Sequence, residues 1–329
     1  MSSPTATTVA VGEPVAAAAP PRRPRRQRGG RGVKRSGLAP LLLLSPAGLV
    51  IIALTIVPIG YLIWMSFTDA GQRMLFTGEY DVVGLQQYRD ILTDPSFWKS
   101  FARTVGFTAA MVGGSVLLGM GVAQLIGKVG RVMRLALTFV LICAWAMPNV
   151  ASSMVWGWLF QPGYGVGNWL LTQTHLFGDV TDTNWADRPG LAFVCIWMLI
   201  VWQAVPFVAL TLHAAQSQVD PAYYEAARMD GASEWRVYWT ITVHFLRPTL
   251  LLVTILSIIW DFNVFNQIWL ISKGGPDGAT STLGVYAYRN AFVSFHFGVG
   301  SAIAVVTTLL LLGLTAFYVR SLVRTGEEL

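Results

Sequence analysis

Long apolar runs separated by polar connections dominate the chain from about residue 40 onward. A run of about 20 apolar residues is long enough to cross the hydrocarbon core of a bilayer as a helix. Six runs reach this length, with approximate limits at 40–67, 100–126, 135–158, 190–213, 248–271 and 299–320. The pattern therefore predicts an all-α integral membrane protein with six transmembrane helices.

Lysine and arginine residues concentrate in alternate connections between these runs. They occupy residues 22–35 before the first run, Lys128, Arg131 and Arg134 after the second, and Arg228, Arg236 and Arg247 after the fourth. Because cytoplasmic loops carry an excess of cations, both termini and the fourth–fifth connection are predicted to be cytoplasmic. Lys99 and Arg103 lie at the outer end of the second run, where their side chains are expected to snorkel to the interface.

The chain has 329 residues, and its net charge of +6 comes largely from an arginine-rich tail at residues 1–36. This tail is rich in alanine, proline and glycine and is predicted to be disordered. Its position before a membrane span favours contact with anionic lipid, and no aromatic or fold context supports nucleic acid as a partner. Residues 37–329 are the predicted transmembrane domain, with a cytoplasmic loop at about 214–247.

The polar segment between the fourth and fifth runs contains signals for two helices joined by a turn. Asp220 can cap a helix that starts at Pro221, Gly231 can supply a left-handed stop, and Ser233 can cap a second helix. Helical spacing places one apolar face of the second helix at Trp235, Tyr238, Trp239, Thr242 and Phe245. Such a shape suits docking into a groove of a partner protein. An amphipathic connector between two spans is the alternative interpretation.

The same segment resembles the EAA loop of binding-protein-dependent ABC importer permeases. The pattern E-A-A-x-x-D-G-A, with an apolar residue and a proline downstream, is matched by Glu225, Ala226, Ala227, Asp230, Gly231, Ala232, Ile241 and Pro248. Val243-His244 stands where that family usually has Leu-Pro, so the second helix is expected to run straighter into the membrane. The resemblance implies a type I importer permease fold and a loop that transmits the motion of a cytoplasmic ATPase.

The fifth run and the loop after it mix polar with aromatic residues. The polar ones are Asp261, Asn263, Asn266 and Gln267, and the aromatic ones are Trp260, Phe262, Phe265 and Trp269. Aromatic faces beside amide and carboxylate groups suit a sugar, whose C–H face stacks and whose hydroxyls form hydrogen bonds. Hydrogen bonds between helices would use the same residue types. The residues alone therefore leave substrate contact and helix packing as equal alternatives.

The stretch Phe262 to Thr282, with Gly274-Gly275-Pro276, is similar to the maltose-type first permease subunit of carbohydrate importers. The resemblance implies sugar-contacting positions on the fourth and fifth runs. The predicted substrate-pathway residues are Gln203, Phe207, Ser257, Trp260, Asp261 and Asn263, and Ile200, Ala204 and Val264 also align with such positions. Since Asp261 and Val264 replace amides of that family, the pocket is expected to be built differently.

Two further features are candidates for contact with a solute or a partner. The first is a polar and aromatic patch in the third run at Trp145, Pro148, Asn149, Ser152, Ser153, Trp156 and Trp158. The second is the outer loop from Gln161 to Pro189, whose turn-forming residues make it a plausible docking surface for an extracytoplasmic binding protein.

The resemblance implies a permease subunit of an ATP-driven ABC importer of the bacterial inner membrane, with an oligosaccharide, disaccharide or sugar derivative as substrate. The implied partners are a second permease, two cytoplasmic ATPase subunits that use ATP and Mg²⁺, and an extracytoplasmic solute-binding protein. This chain is predicted to have no ATPase site, because Val129 follows Gly127-Lys128 where a phosphate-binding loop needs Ser or Thr. No cofactor or metal of its own is predicted either, since its two cysteines are far apart and its four histidines lack ligand spacing.

A self-sufficient secondary carrier for a small polar solute is the alternative function. Such a carrier should contain inverted repeats or ion-coupling carboxylates at mid-membrane. Asp261 is the one residue that the sequence offers for this role. A membrane enzyme would require a catalytic cluster, and the sequence suggests none.

Overall fold

The computed structural model describes residues 38–175 and 177–326, with side chains for 42–175 and 177–320. The tail at residues 1–36, predicted to be disordered, lies outside the described residues. The chain divides into two units, Met1–Ile52 and Ala53–Leu329. Helix α1 covers Leu38–Ile51 in the first unit and contains Pro46.

The second unit consists of helices joined by turns and loops. They are α2 Val57–Met65, α3 Gln72–Thr77, α4 Gln86–Thr93, α5 Pro95–Lys128, α6 Arg131–Trp145, α7 Asn149–Leu159, α8 Val166–Gln173, α9 Pro189–Gln216, α10 Pro221–Met229, α11 Glu234–Val237, α12 Val243–Phe262, α13 Asn266–Ser272, α14 Leu283–Tyr288 and α15 Phe297–Gly326. A 3₁₀ turn covers Trp185–Asp187, and π-helical turns cover Ile52–Ile56, Tyr238–Thr242 and Arg289–Val293.

Five stretches among the described residues are long and apolar enough to cross a membrane. They are Leu42–Met65, Pro95–Lys128, Pro189–Gln216, Glu234–Phe262 and Phe297–Arg320. The pair α6 and α7, bent by 98°, supplies a sixth candidate if it is taken as one span. The predicted all-α membrane architecture is confirmed, with a third span that is broken.

The prediction of a continuous third span at 135–158 is wrong. Helix α6 ends at Trp145, and α7 starts at Asn149 on the far side of Pro148, whose ψ of 138° is extended rather than helical. Proline has no N–H to donate to the carbonyl four residues earlier, so one hydrogen bond of the helical ladder is missing at this point. The Pro148 carbonyl starts α7 and accepts hydrogen bonds from the backbone N–H and the hydroxyl of Ser152, at 3.0 and 2.9 Å.

The predicted limits of the fifth span are also wrong. The helix starts at Glu234 and continues to Phe262, with Pro248 accommodated inside it. It ends where the Asn263 side chain donates to the Ile259 carbonyl oxygen at 3.0 Å. Asn266 and Gln267 therefore lie on the separate helix α13.

Helices α5 and α9 pack together along much of their length. Trp197 Nε1 on α9 donates to the Ala110 carbonyl oxygen on α5 at 2.8 Å, and Gln216 donates to Gln124 Oε1 at 2.8 Å. Gly119 makes the close approach possible, since a Cβ at this position would lie 2.7 Å from the Val208 Cβ. Small residues let membrane helices pack closely in this way.

The buried apolar side chains that surround this helix pair form two main clusters. The first contains Phe107, Met111, Ile196, Ile200, Ile268 and Val285. The second contains Met120, Ala123, Val208, Leu212 and Val253. Helices α9 and α12 are thereby held in positions from which both contribute side chains to a cavity described below.

Candidate functional site

The segment that resembles the EAA loop folds as two helices joined by a turn, as predicted. Asp220 Oδ1 caps α10 by accepting from the Ala222 N–H at 2.9 Å, and Ser233 caps α11. Gly231 has a φ of +76°, and its N–H donates to the Arg228 carbonyl oxygen at 3.0 Å. This left-handed position satisfies free carbonyls at the end of α10 and reverses the chain.

The predicted apolar face of the second helix is not a single surface. Thr242 is buried, whereas Trp235, Trp239 and Phe245 are exposed. The π-helical turn Tyr238–Thr242 explains the difference, because its extra residue per turn rotates the side chains that follow it away from ideal α spacing. The exposed apolar side chains beside the loop are Tyr223, Met229, Trp235, Trp239 and Phe245.

Glu225 contributes to a cleft of about 250 Å³ between the loop and the ends of α5 and α9. Across the turn, Arg228 Nε lies 2.9 Å from Glu234 Oε1, and this hydrogen bond raises the pKa of the Arg228 guanidinium above its ordinary value. Of the five predicted coupling residues, Glu225, Ala226, Asp230 and Gly231 are exposed and Ala227 is half-buried. The loop is thus open to a partner.

A larger cavity of about 510 Å³ lies among α7, α9, α12 and α13. All six predicted substrate-pathway residues line it, namely Gln203, Phe207, Ser257, Trp260, Asp261 and Asn263. Trp145 and Asn149 of the third-span patch line it too, and so do Asn266 and Gln267 of α13. The fold therefore brings together residues that are more than 100 positions apart in sequence.

Aromatic rings form one wall of this cavity. The Phe207 ring lies edge-to-face with Trp260 at a centroid distance of 5.2 Å, and it stacks with Trp145 at 6.3 Å. Trp260 remains 50% exposed, so its ring is accessible to a molecule that enters the cavity. Flat, partly exposed rings of this kind stack on the apolar face of a ligand.

The polar side chains of the cavity differ in whether they form hydrogen bonds within the protein. Gln203 Nε2 donates to the Met147 carbonyl oxygen at 2.9 Å and to Ser152 Oγ at 3.1 Å, which ties α9 to the break in the third span. This amide group, predicted to belong to the substrate pathway, thus lines the cavity and also joins two helices. Asp261 is only 7% exposed, and its Oδ2 has no hydrogen-bond partner among the described residues. This oxygen is itself buried, so its acceptor capacity is unused by the described residues.

Several contributors to these sites had no clear signal in the sequence. Ile259 lines the large cavity, and Gln124 and Gln216 line the cleft beside Glu225. Their residue types are ordinary for membrane helices, so tertiary packing alone places them there. Trp158, included in the third-span patch, is exposed and does not line the cavity.

The guanidinium of Arg103, expected to snorkel to the interface, has a specific partner in the protein. Its Nη1 donates to the Gly278 carbonyl oxygen at 2.8 Å, so the guanidinium binds the loop between α13 and α14. Lys99 is exposed, as expected. The outer loop from Gln161 to Pro189 is organised by buried Asn168, whose Oδ1 accepts from Trp185 Nε1 at 2.7 Å.

Comparison with known proteins finds relatives that are similar in sequence over most of the chain. The chain is 39% identical over 299 residues to the diacetylchitobiose uptake system permease protein DasB of Streptomyces coelicolor, covering 91% of each chain. It is 32% identical over 280 residues to the trehalose/maltose transport system permease protein MalF of Thermococcus litoralis, covering 85% of this chain and 92% of the relative.

Among solved structures, a chain of a bacterial ABC transporter involved in the import of the acidic polysaccharide alginate has the same fold. The TM-score is 0.74 at 18% sequence identity, and the match covers 89% of this chain and 97% of the other. The family model for binding-protein-dependent transport system inner membrane components matches residues 115–325. The chain belongs to this family of inner-membrane components of binding-protein-dependent transport systems.

Proposed function

We propose that this chain lines the translocation pathway for a sugar, as a permease subunit of an ATP-driven bacterial ABC importer. The observation that carries the proposal is the cavity in which the rings of Phe207 and Trp260 lie next to the free Asp261 Oδ2. Sugar C–H faces stack on such rings, and hydroxyl groups donate to such an oxygen. The names of both relatives refer to sugar systems, which favours a disaccharide, an oligosaccharide or a sugar derivative.

The exposed EAA loop is the proposed docking site for one of two cytoplasmic ATPase subunits, which bind ATP and Mg²⁺. Exposed apolar rings around Glu225 support this role, because an unpartnered aromatic surface suits a protein groove. The remaining partners are a second permease, which completes a heterodimer, and an extracytoplasmic solute-binding protein. In this arrangement both chain termini are cytoplasmic.

One unbroken helical stretch connects the coupling loop with the cavity. It begins at Glu234, directly after the loop, and ends at Phe262, next to Trp260 and Asp261. Its 29 residues span about 43 Å at 1.5 Å per residue. When ATP binding closes the ATPases and moves the loop, this stretch carries the displacement to the cavity wall, and access switches from the inward to the outward side.

Transport in a reconstituted system tests the proposal. Proteoliposomes should contain this chain, the second permease and the ATPase, and each of diacetylchitobiose, trehalose and maltose should be supplied with the solute-binding protein. We expect ATP-dependent accumulation of at least one neutral sugar. Accumulation without the ATPase subunits would instead support a self-sufficient carrier, which family membership does not favour. ATP-dependent uptake of a non-sugar solute alone would refute the sugar assignment.

A further inference from the structure

A third cavity, of about 570 Å³, lies at the Pro95 end of α5. It is enclosed by the first turns of α5, the loop between α13 and α14, and the segment that follows α14. Three cations line it, Lys99, Arg103 and Arg289, against one carboxylate, Asp277. It shares no lining residue with the cavity that contains Trp260.

Two guanidinium groups approach each other across Gly278. Arg103 Nη1 donates to the Gly278 carbonyl oxygen at 2.8 Å, and a Cβ added at Gly278 would lie 3.6 Å from Arg289 Nη1. Within the described part of the chain, neither Lys99 nor Arg289 forms an ion pair. The three cations exceed the nearby acids, which are Asp277 in the cavity and Asp94, which accepts from the Tyr286 hydroxyl at 2.5 Å and lies within the electrostatic reach of Lys99.

A buried hydroxyl group gives independent support for a missing ligand. Ser281 lines the same cavity and is only 3% exposed, yet its Oγ has no hydrogen-bond partner among the described residues. A buried polar group without a partner is costly, so such groups usually meet a ligand or water. Hydroxyl, ammonium and guanidinium donors together match the oxygens of a carboxylate, which guanidinium groups bind in a fork geometry.

The position of the cavity along α5 indicates where its ligand comes from. Lys128 and Gln124, at the other end of α5, line the cleft beside Glu225 of the coupling loop. Arg103 and Gln124 are separated by about 32 Å of helix, close to the thickness of the bilayer core of about 30 Å. With the coupling loop in the cytoplasm, the cationic cavity faces the extracytoplasmic side.

We propose that this cationic cavity receives a carboxylate side chain of the solute-binding protein when that protein docks. The inference rests on the proposed function, which supplies such a partner at this face. A translocated solute fits less well, because the cavity is separate from the one that contains Trp260. A lipid fits less well, because the wall is predominantly polar and offers no surface for an acyl chain. Exposed Lys99 extends the charge to the cavity mouth, where it would steer an acidic surface.

The test uses the assembled transporter in nanodiscs, titrated with its sugar-loaded solute-binding protein. The measured quantity is the binding-protein concentration that gives half-maximal stimulation of ATPase activity. Lys99→Glu and Arg289→Glu are each expected to raise it about tenfold or more, with a weaker dependence on salt and an unchanged maximal rate. The conservative variants Lys99→Arg and Arg289→Lys should behave like the wild type. Arg103 is left intact because it holds the Gly278 loop.

Lys273→Glu is the matched control, since Lys273 is an exposed cation next to the same loop and does not line the cavity. An equal rise in this control would indicate a general surface-charge effect and would overturn the proposal. An unchanged half-maximal concentration in Lys99→Glu and Arg289→Glu would overturn it as well, with or without a loss of maximal rate. Absence of any stimulation in the wild-type complex would refute the proposed function itself, and this inference with it.

Discussion

Trp260 belongs to the aromatic wall of the large cavity and remains half exposed, with Phe207 packed against its edge. If a sugar stacks on this ring, Trp260→Ala should remove roughly 1–3 kcal/mol of contact free energy between the sugar and the protein, the contribution of burying a large apolar side chain. The uptake rate should fall as a result. The check is the uptake rate in proteoliposomes, together with the sugar affinity of the binding protein, which should not change.

Trp158→Ala provides the comparison for this change, because Trp158 is exposed and lies away from the cavity. Its uptake rate should equal that of the wild type. Wild-type transport by a fully assembled Trp260→Ala complex would mean that the sugar contacts other residues and that Trp260 serves packing.

Asp261 is a nearly buried carboxylate with one oxygen left without a partner. Asp261→Asn keeps the size and one acceptor oxygen but removes the charge, so a neutral sugar should still be transported within about threefold of the wild-type rate. The melting temperature of the complex should rise, because burying an unpaired charge is costly. Asp90→Asn, at an exposed carboxylate, should leave the melting temperature unchanged. Loss of neutral-sugar uptake in Asp261→Asn would show that the charge itself is required.

At the level of secondary structure, the packing of α5 against α9 depends on a glycine. Gly119→Ala would place a Cβ against the Val208 side chain and should destabilise the protein by about 1–3 kcal/mol through overpacking. Gly121→Ala in the same helix meets nothing within 4 Å and should be neutral or stabilising by up to about 1 kcal/mol. Thermal unfolding in detergent measures both variants, and equal melting temperatures would contradict the close approach of the two helices.

The coupling loop depends on the left-handed turn at Gly231. A side chain there has open space but forces an L-residue into a conformation that costs about 1–2 kcal/mol. Gly231→Asp and Glu225→Lys should leave the protein in the membrane but uncouple ATP hydrolysis from transport. The readout is the ratio of ATP hydrolysed to sugar accumulated. Gly231→Asn should be the mildest change, because asparagine tolerates this φ better than other side chains do. Normal coupling in both Gly231→Asp and Glu225→Lys would refute the role of this loop in coupling to the ATPase.

At the level of the whole molecule, the predicted orientation places Met229 and Asp277 on opposite sides of the membrane. Met229 is 87% exposed beside the coupling loop, and Asp277 is exposed at the cationic cavity. Single cysteines at these positions, with Cys143 and Cys195 both replaced by alanine, should react differently with an impermeant maleimide in intact cells. Asp277→Cys should be labelled and Met229→Cys should not. If only Met229→Cys were labelled, the orientation of the protein in the membrane would be the reverse of the predicted one.

The sequence anticipated the local features well, because they depend on neighbouring residues. The caps at Asp220 and Ser233 and the turn at Gly231 lie where the residue types predicted them. Element limits were less reliable, since apolar composition alone does not show where a helix breaks. Pro148 interrupted the third span, whereas Pro248 was accommodated inside an unbroken helix, so the presence of a proline does not by itself tell where a span ends.

Composition and periodicity alone determined that this is a helical membrane protein, because the bilayer requires apolar helices of a defined length. The motif residues identified the family and, through it, the positions expected around a pathway. Only the tertiary structure decided which of them share a cavity, and that Asp261 keeps a free oxygen while Gln203 is engaged. The physical reason is range: helix length and caps are set within a few residues, whereas a cavity depends on how distant helices such as α7, α9 and α12 pack together.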